Sequence, residues 1–347
     1  GWMNDMLRYM SLDPLYRKGD HNALTFSMTY AFSENFILPL SHDEVVHGKC
    51  SLIGKMPGNY DDKFNNLRVL YAYQMAHPGK KLNFMGTELA QVIEWNYEEE
   101  LDWLLLGFET HLKMHEFFKD INHLYLESKP LWHDDDSWDG FKWICADDYT
   151  QSVISFRRIS TSEQGKHDEI IVVCNFVPVT RTDYKIGVPY EGTYEQILST
   201  DDLKYGGSGE VDNGRIKAEE YSMHGYDYSI SLTIPGLSAM YFRYVPPKKR
   251  AKKSDTVIDV TETAEVKTRK TAKAPAKKKP SAKATSAKAT SAKAASAKAA
   301  ATEKTSSENT SAKTAEKSEN TASTAKTTSA STAPKKASKS KTEKTAK

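Results

Sequence analysis

The sequence has 347 residues, 27% of them charged and 10% aromatic, with a formal net charge of +2. That near-neutral sum hides two unlike parts: residues 251–347 hold 23 Lys and Arg against 9 Asp and Glu, and the first 250 residues hold 25 against 37. An acidic globular part is thus joined to a basic tail, and the length suits about two domains.

The cysteines, Cys50, Cys145 and Cys174, fit neither a disulfide framework nor a zinc site. They are expected to be reduced, buried thiols of a cytoplasmic protein. No apolar run approaches the ~20 residues of a membrane span, and no basic-then-apolar leader opens the chain. The opening, GWMNDMLRYMSLDPLYRKGDH, has no initiator Met and reads like the middle of a domain. The 347 residues are therefore expected to be part of a longer protein.

In chain order, residues 21–36 carry a helical stripe at Leu24, Met28 and Phe32. Residues 36–45, FILPLSHDEV, are apolar and then polar, as in a buried parallel strand that delivers side chains at its C-terminal end. Residues 61–79 form a helix with Asp61 and Asp62 at the positive end of its dipole and Pro78-Gly79 as its stop. Phe64, Leu67, Leu70 and Tyr71 share one face of it. KKLNFMGTEL, 80–89, is a second short strand ending in polar residues, and 110–130 is a helix with Met114, Phe117, Phe118, Ile121, Leu124 and Tyr125 at three-four spacing. Strand, helix, strand, helix is a run of βα units. It holds too few strands to close a barrel, leaving open parallel edges.

From residue 137 the character changes. FKWICAD, QSVISFRRIS, EIIVVCNFV, YKIGVP, TYEQILST, YSISLTIPG and SAMYFRYV are short β-rich runs, separated by breaks such as EQGKHDE and YGGSGEVDNGR. That spacing predicts an antiparallel sandwich. After Pro246-Pro247 no Phe, Tyr or Trp occurs, and 281–300 is a five-residue Ser-Ala-Lys-Ala repeat. Such a segment buries too little apolar surface to offset its ordering entropy, so disorder is expected.

The stretch ILPLSHDEVVHGKC, 37–50, crowds His42, Asp43, Glu44, His47 and Lys49 behind an apolar run. Glu44-x-x-His47 would pair metal ligands on a helix face, but the run is not H-E-x-x-H. In an extended backbone the two side chains would point apart. A second reading is a polar turn with a solvated charge cluster. A third comes from position: acids directly after a buried strand of a βα unit lie where α/β barrels assemble their active sites.

LPLSHDEVVHGK resembles the fourth conserved region of the alpha-amylase family of glycoside hydrolases and transferases, and its long form is similar to that of the glycogen branching enzymes. GWMNDMLRYMSLDP, LTFSMTYAFSENF, NLRVLYAYQMAHPGKKLNFMGTELAQ, EWNYEEELDW, VVCNFVPVTRTDYKIGVP and IPGLSAMYF agree in order, so the resemblance covers about residues 1–245. It implies a retaining transglycosylase that cuts an α-1,4-glucan and passes the segment to a glucose 6-hydroxyl, forming an α-1,6 branch. In such enzymes an Asp nucleophile forms a glycosyl-enzyme, a Glu serves as acid and then base, and a third acid grips sugar hydroxyls beside the oxocarbenium-like ring. The resemblance makes Asp43 the third acid, the transition-state stabiliser, and His42 its substrate-binding neighbour.

Glu44 and His47, with Lys49, match the motif, and scaffolding is their alternative. Glu88, at the end of the second strand, is a further candidate, although the family more often has Asn where Thr87 stands. Trp95 and Trp103 are candidate sugar platforms, with core packing as the alternative, and Glu98, Glu99, Glu100 and Asp102 read as a solvated loop. Nothing before His42 resembles the nucleophile motif Asp-Gly-Phe-Arg-x-Asp, and no strand bearing the catalytic Glu appears. A catalytic set acts as a unit, so these residues alone are expected to be inactive.

The expected fold is α/β: 1–130, C-terminal βα units of an incomplete (β/α)8 TIM barrel; 131–247, an all-β sandwich; 248–347, a disordered Lys/Ala/Ser/Thr tail. The expected partners are an α-1,4-glucan, glycogen or amylose, and the missing N-terminal part of the barrel; neither a membrane, a metal nor a cofactor is expected. Two rivals stand beside this. One is a non-catalytic glucan-binding remnant using Trp138 and Trp143. The other is non-specific polyanion binding by the tail through counterion release; without interleaved aromatics the tail lacks base-stacking platforms.

Overall fold

The computed structural model describes residues 1–161 and 167–247. The tail expected from residue 248 and most of the break EQGKHDE lie outside the described residues.

Helix α1, Trp2–Ser11, turns Trp2, Met6, Leu7, Tyr9 and Met10 inward. The helix expected over 21–36 is shorter. Helix α2, Asn22–Phe26, tightens into a 3-10 turn over Ser27–Thr29 and ends there. Hydroxyls explain the stop: Thr25, Thr29 and Ser33 each bond back to the carbonyl three residues earlier, which competes with helix propagation. Leu24 and Met28 are still buried, and Phe32 packs on the core from the turn beyond.

Strand β1, Ile37–Leu40, runs parallel to strand β2, Lys80–Asn83, with Ile37 opposite Lys80 and Leu40 opposite Asn83. Helices α3, Leu52–Lys55, and α4, Tyr60–Ala76, make the crossover. A capping box starts α4: Asp62 N donates to Asn59 Oδ1 at 2.9 Å, and Asn59 N donates to the Asp62 carboxylate at 3.2 Å. Extended His77 before Pro78 ends it. Phe64, Leu67, Leu70 and Tyr71 are buried as expected, but burial goes all round the helix, because every residue from Asn66 to Ala76 is enclosed. The helix packs against α3 and α5 (Glu109–Glu127) and against strands of the following sheet.

That sheet is antiparallel, six-stranded, in the order β3-β4-β5-β10-β7-β8, and a two-stranded ribbon β6-β9 accompanies it. The strands are β3 Phe141–Asp148, β4 Val153–Thr161, β5 His167–Asn175, β6 Arg181–Val188, β7 Thr193–Ser199, β8 Arg215–Lys217, β9 Tyr228–Ile234 and β10 Ser238–Val245. Seven fall on the runs expected from sequence. The eighth, β8, lies after the glycine-rich break and is only three residues long.

Period-two alternation divides the sheet between two cores. Ile170, Val172, Cys174 and Tyr241 join the helices, and Ile171, Val173, Met240 and Phe242 face Ile186, Ile230 and Leu232 of the ribbon. Burial on both faces is why β5 reads as a continuous apolar run.

Three fully buried arginines stitch the βα part to the sheet. Arg17 donates to Phe176 O at 2.6 Å, Arg68 to Thr200 O at 2.9 Å, and Arg158 to Ala76 O at 2.6 Å. Burial pulls the guanidinium pKa of Arg17 and of Arg68 down to about 10. The cysteines differ from expectation: Cys174 is buried, Cys145 is intermediate and Cys50 is exposed, all as free thiols. No helix among the described residues is long and apolar enough to cross a membrane.

Candidate active site

Leu38 and Leu40 of β1 point into the core, and the strand ends at Leu40. Ser41 then caps a 3-10 turn over His42–Glu44, accepting the Asp43 N–H at 3.4 Å. This turn replaces the extended backbone expected there, so the argument that Glu44 and His47 point apart does not hold. Their partners separate them instead. Glu44 pairs with Lys49 at 3.1 Å and Lys55 at 3.8 Å, and His47 Nδ1 lies 3.5 Å from Glu94.

Strand β2 ends in the same manner. Gly86, at φ +89°, turns the chain into a 3-10 turn over Thr87–Leu89. Thr87 closes that turn with Oγ1 donating to Phe84 O at 2.6 Å. Glu88 lies half-buried on the turn, and its charge adds to burial in raising the Tyr71 pKa.

His42 Nε2 lies 3.1 Å from Asp43 Oδ1, and the Ser41 hydroxyl donates to Asp43 Oδ2 at 3.3 Å. The His42 ring is propped by Phe84, 5.7 Å between centroids, and by Trp95, 6.0 Å, and those two rings meet edge to face at 5.1 Å. Trp95 is half-buried, so it serves as a prop for His42 as well as core packing. Trp103, by contrast, is 52% exposed. Trp143 packs on Phe141 and Phe156, whereas Trp138 is partly exposed against Phe32. Glu98, Glu99 and Glu100 are exposed, as a solvated loop should be.

Sequence reasoning missed Glu94. Its carboxylate accepts the Cys50 N–H at 2.6 Å and the Gly48 N–H at 2.9 Å. Those two bonds hold its pKa below the usual carboxylate range. Beside it, Trp95 N donates to Val45 O at 2.8 Å and Ser51 Oγ to Val92 O at 2.8 Å. Segment 45–51 is thereby latched to segment 92–95. The only sequence signal was Gly48, whose φ of +80° permits the turn.

Side chains of His42 and Asp43 are 52% and 64% exposed, so the pair stands on an open surface. It offers a carboxylate acceptor beside an imidazole, groups suited to adjacent sugar hydroxyls.

The family described as alpha amylase, C-terminal all-beta domain, matches residues 143–245. Over 243 residues the chain is 51% identical to the 1,4-alpha-glucan branching enzyme GlgB of Halothermothrix orenii, covering 70% of this chain and 38% of that one. Over about 70% of its residues the chain is similar to the C-terminal part of the 1,4-alpha-glucan branching enzymes GlgB. GlgB of Aquifex aeolicus is 53% identical over 244 residues, 70% of this chain and 38% of its own. GlgB of Bacillus cereus strain Q1 is 51% identical over 255 residues, 74% and 39%. The chain thus spans about two fifths of the length of these branching enzymes. Among solved structures, a pullulanase from Bacillus acidopullulyticus is similar over 68% of this chain and 27% of its own, with a TM-score of 0.48 and 12% identity.

Proposed function

We propose that this chain supplies the sugar-gripping part of a glycogen-branching site in a cytoplasmic protein. The observation that carries the reading is the His42–Asp43 pair at the C-terminal end of β1, oriented by Ser41, Phe84 and Trp95. The identity to branching enzymes supports it.

In the reaction, a nucleophilic carboxylate displaces the α-1,4 leaving oxygen, which takes a proton from the acid. The glycosyl-enzyme is then attacked by a glucose 6-hydroxyl, which returns its proton to the same residue. Asp43 accepts hydrogen bonds from hydroxyls of the sugar at the cleavage point, and these strengthen as positive charge develops on the ring. His42 donates to a neighbouring hydroxyl. On this reading the nucleophile and the acid are supplied by another part of the enzyme. They come with the remaining barrel strands, which pair with the free edges of β1 and β2.

Three features support that partner. Ile37, Leu82 and Met85 are exposed on or beside the strands, Asn83 Oδ1 is buried without a hydrogen bond, and an apolar cavity of about 290 Å³ flanks β1 between Trp2, Phe36 and Pro39. Parallel strands are rarely left uncovered. The exposure of the His42–Asp43 pair also favours the lesser reading, a glucan-binding piece without cleavage. The test is amylose treated with the chain and scored for branch points by debranching, with and without the barrel segment of a relative. Branch points only in the mixture support the catalytic reading; none even in a stoichiometric complex leaves glucan binding alone.

A further inference from the structure

The loop 45–51 leaves the His42–Glu44 turn and is fastened more closely than its exposure calls for. His47, Gly48, Lys49 and Cys50 are all exposed, and the His47 side chain lies wholly in solvent. Yet both oxygens of the Glu94 carboxylate are spent on this loop, Oε2 accepting the Gly48 N–H at 2.9 Å and Oε1 the Cys50 N–H at 2.6 Å. Lys49 N donates to Val46 O at 3.0 Å, Lys49 Nζ to Glu44 at 3.1 Å, and Lys55 Nζ to Lys49 O. Ser51 Oγ on Val92 O and Trp95 N on Val45 O close the two ends. Cys50 is held at φ +67°, left-handed backbone that residues other than glycine avoid. Ordering an exposed loop costs conformational entropy and returns little apolar burial. Strain and order of this kind persist where the backbone has something to present.

The loop and the sugar-gripping pair are held as one body. Trp95, next to Glu94 in the chain, props the His42 ring, and Glu44, next to Asp43, carries the ion pairs to Lys49 and Lys55. His47 is the group the loop displays: Nδ1 turns to Glu94 at 3.5 Å, and the rest of the ring is open to solvent.

The chemistry beside the loop supplies its use. The bond between sugar and nucleophile in the glycosyl-enzyme is broken by one of two attackers. A glucan 6-hydroxyl gives an α-1,6 bond, and water gives a new reducing end. In both cases the attacking oxygen passes its proton to the acid–base residue, and the nucleophile leaves as a carboxylate. The His42–Asp43 pair stands on an open surface, so water has access from this side. Water is far more concentrated than any glucan. An acceptor outruns it only when held in attacking geometry, through the effective concentration that fixed positioning gives. We propose that Glu94 is a positioning residue: it sets loop 45–51 as the stop against which the acceptor chain is held, with His47 meeting its hydroxyls, and so favours transfer over hydrolysis. This inference rests on the glucan-branching reading.

The test is the ratio of new reducing ends to new branch points on amylose. It is measured with the chain completed by the barrel segment of a relative, for wild type, Glu94→Gln and Gly48→Ala. Reducing ends count hydrolysis and branch points count transfer. Both come from one glycosyl-enzyme, so the ratio is independent of how much protein is folded and of how fast the first step runs. Glu94→Gln keeps the size of the side chain but turns an amide NH2 towards one of the two N–H donors. Gly48→Ala reaches the loop without touching the carboxylate: a Cβ there meets nothing within 4 Å, so only the backbone at φ +80° is disturbed. Glu94→Gln is expected to raise the ratio about tenfold, the effect of losing one charge-assisted hydrogen bond, and Gly48→Ala to move it the same way. An unchanged ratio in both variants overturns the proposal. So does slower cleavage at constant ratio, which would put the loop on the side of the chain being cut. Fast amide exchange at Gly48 and Cys50 in the wild-type chain would overturn it without any activity being measured. No branch points from the wild-type mixture would overturn the branching reading and this inference together, whereas branch points at an unchanged ratio overturn this inference alone.

Discussion

His77 sits at the end of α4 with its ring fully enclosed. Nδ1 donates to Pro78 O at 2.7 Å, which leaves Nε2 to accept the Ser27 hydroxyl at 2.7 Å. Burial lowers its pKa to about 3, and the nearby Lys81 and Arg158 charges push the same way. Between pH 3 and 6.5 the unfolded chain binds one more proton here than the folded one. Stability from this group is therefore complete above about pH 6.5 and falls with acid, at a slope of about 1.4 kcal/mol per pH unit. Urea unfolding from pH 7 to 4 measures it, and a folded His77→Gln variant is expected to have the shallower pH dependence. For Asp43 the expectation is catalytic: in the completed barrel, Asp43→Asn lowers kcat by about 10²–10³-fold with Tm unchanged, as removal of transition-state stabilisation does. The place of His42 and Asp43 at a strand end was legible because they follow an apolar run. Asn66 and His77 were not, since only tertiary packing decides which polar side chains of a buried helix find partners.

At the scale of elements, the loop that follows the β1 turn depends on contacts that local sequence does not encode. The Glu94 carboxylate holds Gly48 and Cys50 from 46 and 44 residues away. Glu94→Ala is expected to speed amide exchange at both positions and alkylation of the exposed Cys50 thiol, with little change in Tm. Because the folded pKa of Glu94 lies below the usual value, the latch is complete above the ordinary carboxylate range and opens as pH falls through that lowered pKa. Alkylation that is unchanged in the variant would contradict the latch. The strands of the sheet were legible from alternation and turn signals. The helix over 21–36 was overextended because apolar spacing does not reveal hydroxyls turning back on their own carbonyls, and the brief strand β8 carries too few residues to show a period.

Over the whole molecule, α/β units followed by an antiparallel sheet were readable, but the way they are fastened was not. Arg158 donates to Ala76 O, to Gly140 O and to the Asp135 carboxylate, all buried. Arg158→Ala leaves that carboxylate without its guanidinium and is expected to destabilise the chain by about 3–5 kcal/mol. Chemical denaturation would show this, and a loss under 1 kcal/mol would mean that the βα part and the sheet are held by apolar contact alone. Such fastening keeps β1 and β2 in register while their outer edges are free for further strands. The central claim is that the His42–Asp43 pair works only in a barrel completed by those strands. The direct measurement is branch-point formation on amylose by the purified chain, alone and with the barrel segment of an approximately 50%-identical relative. No branches are expected from the chain alone and branches are expected from the mixture, lost again with Asp43→Asn; branching by the chain alone would contradict this reading.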